Sequence, residues 1–261
     1  MTSSPSKRYG WPLAIPIMML AIGVPTTACG QAGVSDGAYW QQEVHYAIEA
    51  ALDEEREVLH GLARVTYVNR SPDTLNRLFF HQHLNAFRPN SIWAGAERRR
   101  QLNFQELDDP GHAFERLITA RSAGEDLAAS YPNAPDSVVL ELALPKPLAP
   151  GGRVTLELEW EARPSTICRR QCRQGRQYDF AQWYPRIAPY DRTGWAHHPL
   201  YPQGEFYGEY ATYDVVLDVA EDQVLGAHVA RFYPSLETTP SPRCPPGPGS
   251  PRRAGPMADL P

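Results

Sequence analysis

Apolar and polar residues alternate with a period of two along much of the chain after residue 40. The clearest case is residues 154–162, where apolar side chains alternate with threonine and glutamate. The same pattern occurs over residues 44–52 and 213–219. A period of two places one face of a strand in a core and the other in water, so these segments are predicted to be half-buried β-strands.

Other segments with strand character extend the pattern, and turn sequences separate several of them. The further predicted strands are residues 57–69, 75–84, 114–122 and 137–144. Residues 69–72 and 150–152 have the composition of turns. No amphipathic helix of ordinary length is predicted, although residues 97–109 leave room for one or two helical turns. Many strands without intervening helices predict an all-β fold, as an antiparallel β-sandwich or saddle-like sheet.

Residues 176–219 combine aromatic side chains at high density with prolines and glycines, and are called the aromatic segment below. A large ring gains free energy only when it is buried or covered by a ligand. The segment is therefore expected to dock onto another surface. Its large aromatic residues include Trp183, Tyr184, Tyr190, Trp195, Tyr201, Phe206, Tyr207, Tyr210 and Tyr213.

The two ends of the chain differ from the alternating region. Residues 1–28 contain two basic residues and then an uncharged, mostly apolar run, which predicts a cleaved export signal. This run is shorter than the ~20 apolar residues of a membrane-spanning helix. Cys29 follows Ala28, so lipidation of Cys29 in a bacterial lipoprotein is one alternative, and cleavage without lipidation is the other. Export predicts a location in the periplasm or outer cell envelope, with membrane contact only through a lipid anchor.

The last segment, residues 228–261, is rich in proline and lacks the alternating pattern. Such a composition does not bury enough apolar surface to offset the entropy of ordering the chain. It predicts a disordered tail or a shifted reading frame. Between the two ends, residues 39–227 are predicted to form a single β domain.

Charge and motifs exclude several classes of function. A net charge of -5 argues against nucleic acid as a partner, because phosphate binding needs a basic surface. The sequence contains no H-E-x-x-H zinc motif, G-x-S-x-G nucleophile motif or glycine-rich phosphate loop. His81 and His83 are expected on one face of a strand. Two histidines without a third ligand bind metal weakly, so hydrogen-bonded or solvent-facing histidines are favoured over a metal pair.

Cys168 and Cys172 form a C-x-x-x-C pair in an arginine-rich loop. The pair supplies half of a metal site, and the sequence shows no second half. In an oxidising compartment a local disulfide between Cys168 and Cys172 is the favoured interpretation.

Polar residues within the aromatic segment are the remaining candidates for chemistry. Glu205, Glu209 and Asp191 allow an acid–base pair of the glycosidase kind, but bracing of a turn by Glu205 and Glu209 is favoured. Gln182 offers an acceptor and two donors between large aromatic residues, which suits a peptide's amino terminus or backbone amide. A buried structural amide is the alternative for Gln182, and is favoured from the residues alone.

Several phrases of the sequence together resemble one family. They are HGLARVTYVNRS, LFFHQHLNAFRPNS, RVTLELEWEAR, FAQWYPRIAPYDRTGW and GEFYGEYATYDVVLDV. Residues 39–227 resemble the N-terminal β domain of M1-type zinc metallopeptidases, the aminopeptidase N-like group. The bacterial branch with the AQWYPR and EFYGEY signatures is the most similar.

The resemblance implies a saddle-like β domain that covers a thermolysin-like catalytic domain. In the family this domain contributes one residue that holds the amino end of the substrate, and by position that residue is Gln182 or, less favoured, Asp179. The family's catalytic domain carries G-x-M-E-N and H-E-x-x-H motifs, and neither occurs here. The resemblance therefore implies no catalytic residue and no cofactor in this chain, with zinc in the complete family enzyme. Metal-assisted peptide hydrolysis needs that ion to polarise the carbonyl group and activate water.

Two functions from different classes follow as hypotheses. The first is the N-terminal substrate-capping domain of an exported M1-type zinc aminopeptidase, inactive alone. Its partners would be the missing catalytic domain and, through that domain, a peptide substrate. The second is a stand-alone cell-envelope β module that binds peptide or carbohydrate on its aromatic face.

Overall fold

The computed structural model describes residues 39–98 and 103–227, and their regular structure is mainly β. The strands are β1 (Glu43–Asp53), β2 (Val58–Val68), β3 (Leu75–His81), β4 (Phe114–Ser122), β5 (Glu125–Asp126), β6 (Ala129–Ser130), β7 (Val139–Leu148), β8 (Arg153–Arg163), β9 (Cys172–Gln174), β10 (Gln177–Asp179), β11 (Arg186–Ile187), β12 (Tyr190–Asp191), β13 (Gly194–Trp195) and β14 (Thr212–Asp218). One short α-helix, α1 (Ile92–Glu97), and 3₁₀ turns at His83–Phe87 and Phe104–Glu106 complete the described elements. The prediction of an all-β fold is confirmed.

The strands form two larger sheets and two small hairpins. The six-stranded sheet has the order β14-β1-β2-β8-β4-β5, and the four-stranded sheet has the order β11-β3-β7-β6. The hairpins pair β9 with β10 and β12 with β13. The described pairings are antiparallel except that β14 runs parallel to β1, from His45 opposite Thr212 to Ala51 opposite Asp218. The strand itself was predicted over residues 213–219, but its parallel pairing with β1 was not.

The hydrophobic core combines the inner faces of both larger sheets. The alternation predicted for β1 is confirmed, because Tyr46, Ile48 and the other apolar residues of its pattern are buried. Apolar residues of β3 and β7, including Phe80 and Leu140, join the same buried cluster. Side chains from one face of each sheet thus meet in a common core, as in a two-sheet β architecture.

Gly61 and Trp160 occupy opposite positions on neighbouring strands at the centre of the six-stranded sheet. The Trp160 ring lies directly over Gly61, so that a Cβ atom at Gly61 would come within 2.3 Å of the ring. Trp160 itself is fully buried. A residue without a side chain at position 61 therefore makes room for the largest side chain of the core.

Asn69 joins the two turns predicted at residues 69–72 and 150–152. Its side-chain amide donates to the backbone oxygens of Asp73, at 2.7 Å, and Leu148, at 3.0 Å. Its backbone oxygen accepts from the N–H of Gly151, which adopts a positive φ of 74°. The left-handed conformation suits glycine, which explains the residue type at this turn.

The strand predicted over residues 75–84 ends earlier, and the placement of His81 and His83 on one strand face was wrong. β3 stops at His81, and a 3₁₀ turn starts at His83. The Asn85 side chain donates to the backbone oxygens of Glu115, at 2.7 Å, and Ser137, at 2.9 Å. These bonds to two other segments hold the chain in a turn where the hydrophobic pattern alone favoured a longer strand.

Candidate functional site

The first half of the aromatic segment packs on the core of its own domain. Trp160 donates its indole N–H to the backbone oxygen of Trp183 at 2.9 Å. The Tyr46 hydroxyl accepts from the N–H of Ile187 at 2.9 Å and lies 3.3 Å from the backbone oxygen of Pro185. Two buried side chains of the six-stranded sheet therefore fix the path of residues 183–187.

The second half of the segment is more exposed. Tyr201, Tyr207 and Tyr210 are 48%, 51% and 79% exposed, respectively. Tyr213, on β14, is 40% exposed although its ring stacks on Tyr46 with centroids 5.3 Å apart. The segment thus covers the core with one part and presents large aromatic rings to the surroundings with the other.

Gln182, the favoured substrate-binding candidate, lies in a bend directly before Trp183. Its backbone φ is 55°, a left-handed value that is uncommon outside glycine and asparagine. Its side-chain oxygen accepts a hydrogen bond from Arg186 Nη1 at 3.2 Å, and the residue is half-buried. One lone pair of that oxygen remains for a further donor, since an amide oxygen accepts two hydrogen bonds.

Arg186 connects Gln182 to the exposed half of the aromatic segment. Its Nη2 lies 3.5 Å from the backbone oxygen of Glu209. A Cβ atom at Gly208 would come within 2.2 Å of Arg186 Nε, so the guanidinium group passes through space that only glycine leaves open. Sequence analysis did not indicate this connection, because Arg186 and Gly208 lie on different elements that only the fold brings together.

Asp179, the second candidate, is the last residue of β10 and is exposed. It pairs with Cys172 across the small hairpin of β9 and β10. The structure thus places Asp179 on a different local element from Gln182.

Cys168 and Cys172 are joined by a disulfide. The next residue, Arg173, is buried and donates to Glu57 Oε2 at 2.7 Å and to the backbone oxygen of Pro110 at 2.5 Å. The disulfide therefore closes the polar loop on itself, and the buried guanidinium group of Arg173 ties the loop to the rest of the domain. Cys29 lies outside the described residues.

The three carboxylates of the aromatic segment have separate contacts. Glu205 forms a bidentate ion pair with Arg170, at 3.1 and 3.2 Å, and hydrogen bonding by Arg170 lowers the pKa of Glu205. Asp191 Oδ1 accepts from the backbone N–H of Thr193 at 2.8 Å and from its hydroxyl at 2.6 Å, and these bonds lower the pKa of Asp191. Glu205 thus ties its loop to the loop that contains Arg170.

Glu209 is buried, and its Oε1 accepts from the backbone N–H of Tyr210 at 3.1 Å. Burial raises the pKa of Glu209. A backbone contact of this kind is compatible with the turn-bracing role favoured for Glu209, which stays a prediction.

The histidines form a cluster beneath the aromatic segment. The rings of His81 and His83 stack with centroids 4.8 Å apart, and both are buried. His81 Nε2 lies 3.2 Å from the backbone oxygen of His198. The rings of His83 and Phe206 are nearly perpendicular, with their centroids 4.8 Å apart. Burial lowers the pKa of His81 to about 4 and that of His83 well below its usual value, so both are neutral at pH 7.

Within residues 39–98 and 103–227, no group of three or more His, Cys, Asp or Glu side chains is placed to hold a metal ion. The stacked histidine pair therefore does not fit a catalytic zinc site, which needs three protein ligands. In the same part of the chain, no helix is long and apolar enough to cross a membrane.

A small cavity of about 120 Å³ lies where residues 39–41, 189–191 and 207–210 meet. It is called the aromatic cavity below. Its walls include the aromatic residues Tyr39, Trp40, Tyr190, Tyr207 and Tyr210 together with Asp191 and Glu209. Sequence analysis did not identify this cavity, because it joins segments about 150 residues apart; the only signal was the shared richness in aromatic residues.

The chain was compared with known proteins. No family model and no curated protein matches it. Solved structures of M1 zinc metallopeptidases do match. A two-domain M1 zinc metallopeptidase variant bound to L-arginine matches at 13% identity, covering 68% of this chain and 32% of that one, with a TM-score of 0.35. An M1 zinc metallopeptidase variant from Deinococcus radiodurans, bound to a Tyr-Ser-Ala substrate, matches at 14% identity, covering 73% and 37%, with a TM-score of 0.37.

These structures bear the name of the family that the sequence motifs resemble. The chain spans 31 to 38% of their length. At 13 to 15% identity, no residue role is carried over from them to this chain. In the comparison with solved structures, this chain is similar to M1 zinc metallopeptidases over 68 to 74% of its length.

Proposed function

We propose that residues 39–227 are the N-terminal substrate-capping domain of an exported M1-type zinc aminopeptidase, and that this chain alone does not hydrolyse peptides. The observation that carries the proposal is the set of signature phrases around FAQWYPR and GEFYGEY, which occur in the family order within one all-β domain. Zinc and the groups that activate water belong to the catalytic domain in this scheme.

The exposed half of the aromatic segment supports a further domain as the partner. β14 lies at the edge of the six-stranded sheet, and Val215 and Val216 on its two opposite faces are 42% and 45% exposed. Three exposed tyrosines precede it in the chain. Exposed apolar and aromatic side chains of this kind are found at interaction sites, and a covering domain would remove them from water.

The position of Gln182 supports a role in holding the substrate. The bend at this residue and the hydrogen bond from Arg186 fix the direction of the carboxamide group. The remaining lone pair of its oxygen would accept from the ammonium group of a peptide. A hydrogen bond to a charged group contributes about 1.5–3 kcal/mol.

The experiment compares the protein from its native host with the 261-residue chain made alone. An antibody to residues 39–227 isolates the native product, whose mass, zinc content and aminopeptidase activity are then measured. We expect a product larger than 29.2 kDa that carries zinc and releases N-terminal residues, while the chain alone does neither. A native product of 29.2 kDa or less without aminopeptidase activity would contradict the proposal.

Substitution in the native product tests the role of Gln182. We expect Gln182→Ala to lower kcat/KM by about tenfold or more, since it removes a contact to a charged group. Gln177→Ala is the matched control, because Gln177 is an exposed glutamine of the neighbouring hairpin. Equal activities of the two variants would remove Gln182 from the proposal without affecting the domain assignment.

Export and lipid anchoring at Cys29 are a separate part of the proposal. Incorporation of labelled palmitate into the wild-type chain, and its loss in Cys29→Ser, is the expected result. A mature protein that is exported but unlabelled would favour plain signal cleavage.

The second candidate is a stand-alone cell-envelope module that binds peptide or carbohydrate. The aromatic cavity favours it, because aromatic walls with a few polar groups are typical of small-ligand sites. A native product no larger than the present chain would make this candidate the better one.

A further inference from the structure

The aromatic cavity differs from the position of the proposed substrate-binding amide and is built from three separate segments. Tyr39 and Trp40 lead into β1, Tyr190 and Asp191 form β12, and residues 207–210 close the third side. Tyr190 is fixed by a hydrogen bond from its hydroxyl to Asp73 Oδ2 at 2.8 Å. Its ring also packs in a T-shaped arrangement with Trp195, with ring centroids 5.1 Å apart. At least one aromatic wall is therefore held in place by the surrounding fold.

The charge of the cavity is negative. Asp191 and Glu209 line it, and no lysine, arginine or histidine is among its lining residues. Two cationic groups lie close by: the guanidinium group of Arg186 lies against Gly208 and approaches the backbone oxygen of Glu209, and Arg192 follows Asp191 in the chain. The cavity therefore combines aromatic side chains with two carboxylates and favours a positively charged ligand.

The two carboxylates already have internal hydrogen bonds. Asp191 Oδ1 accepts two bonds from Thr193, and Glu209 Oε1 accepts the N–H of Tyr210. These contacts hold the two carboxylates near the cavity and use part of the hydrogen-bond accepting capacity of each carboxylate. A ligand whose charge is spread over methyl groups suits such a site better than one that needs several strong acceptors, since aromatic faces attract it without hydrogen bonds.

We propose that the aromatic cavity binds a small organic cation of the methylated alkylammonium class. The cavity volume of about 120 Å³ admits one compact head group. Aromatic rings attract quaternary ammonium ions through the negative potential of their faces, and the carboxylates add charge attraction. The proposal does not depend on whether the domain caps an aminopeptidase.

The state of the two carboxylates supports the proposal. Hydrogen bonds from Thr193 lower the pKa of Asp191, so this group is charged at neutral pH. Burial raises the pKa of Glu209, as expected for a carboxylate that is partly desolvated in the folded domain. A cation in the cavity would replace part of the missing solvation.

The test is a calorimetric titration of the full 261-residue chain with choline and, separately, with its neutral isostere 3,3-dimethylbutan-1-ol. The two probes have nearly the same shape and differ in charge. We expect saturable binding of choline at least tenfold tighter than that of the isostere. Equal binding of both probes, or no saturable binding of choline, would overturn the proposal.

Two variants locate the binding. Tyr207→Ala removes one aromatic wall and is expected to weaken choline binding about two- to fivefold, the range for an exposed cation–π contact. Tyr201→Ala is the matched control, because Tyr201 is 48% exposed against 51% for Tyr207 and does not line the cavity. Asp191→Asn keeps the shape and removes a charge, and is expected to weaken choline binding but not binding of the isostere. Choline affinity unchanged in both Tyr207→Ala and Asp191→Asn would show that the cation binds elsewhere and overturn the assignment.

Discussion

Strands β8 and β14 belong to the same six-stranded sheet and carry the same kind of alternating sequence, but only β8 is covered. β8 lies between β2 and β4, and its inward residues, among them Leu158 and Trp160, are buried. β14 lies at the edge beside β1, and Tyr213, Val215 and Val216 remain 40 to 45% exposed.

The difference arises from what lies next to each strand. Trp160 packs into the space over Gly61 on β2 and binds the backbone of the aromatic segment. Neither face of β14 has comparable cover within the described residues, since Val215 and Val216 on its opposite faces are both exposed. An alternating pattern therefore states which residues can be buried, while the neighbouring elements decide whether they are.

The largest effect is expected from truncating a buried side chain of β8. Trp160→Ala leaves a large cavity and removes the hydrogen bond to Trp183, so the free energy of unfolding should fall by about 3–5 kcal/mol. Urea denaturation followed by circular dichroism measures it. Val216→Ala on β14 is the control and should cost less than about 0.5 kcal/mol. Similar losses in the two variants would contradict the view that β8 contributes to the core and β14 does not.

A pH titration tests the histidine cluster beneath the aromatic segment. Burial lowers the pKa of His81 to about 4, so below pH 6.5 the unfolded chain binds a proton that the folded chain does not. Between pH 7 and pH 4 this residue should therefore reduce the free energy of unfolding by about 3 kcal/mol. His83 acts in the same direction.

The variant His81→Gln separates this contribution from that of the carboxylates, which titrate in the same range. Glutamine preserves a donor for the backbone oxygen of His198 but carries no titrating group. Denaturation at several pH values should show a shallower loss of stability in the variant. Parallel curves for the two proteins would mean that His81 titrates alike in the folded and unfolded chains.

A smaller effect is expected where Arg186 passes Gly208. A methyl group in Gly208→Ala would overlap Arg186 Nε and displace the guanidinium group from Gln182. Such overpacking costs about 1–3 kcal/mol. Gly226→Ala is the control, because no atom outside its chain neighbours lies within 4 Å of a Cβ there. If both glycine variants unfold at the same denaturant concentration, the passage of Arg186 is not tightly packed.

The smallest change in stability, but a measurable change in surface behaviour, is expected on β14. Val216→Glu places a charge on an exposed edge strand and should alter the free energy of unfolding by less than about 0.5 kcal/mol. The same substitution should reduce binding of a hydrophobic dye and self-association of the chain made alone, since it interrupts the exposed apolar surface. A wild-type chain that is monomeric and binds no dye would show that this surface does not promote association.

The fold was predictable from local patterns to a large extent. β4 matches its predicted bounds of residues 114–122, and β2 and β1 differ from prediction by a residue at each end. The turns at residues 69–72 and 150–152 were also found where their composition indicated. These features depend on residues close together in sequence, where side-chain period and turn chemistry act directly.

The candidate site was less predictable. Gln182 could be named from its aromatic surroundings, but its left-handed backbone and its contact with Arg186 could not. The end of β3 at His81 depends on hydrogen bonds of Asn85 to two distant segments. The aromatic cavity likewise needs residues near position 40 to lie against residues near position 208.

By itself the sequence determined the all-β class, most of the strands and the residues able to form a core, because hydrophobic period and turn composition are local properties. Only the tertiary structure decided that β14 lies parallel to β1 at an exposed edge, that Arg186 passes Gly208 to reach Gln182, and that five aromatic residues and two carboxylates line one cavity. These features depend on contacts between segments that the chain folds together from large separations, and a local pattern does not specify such contacts.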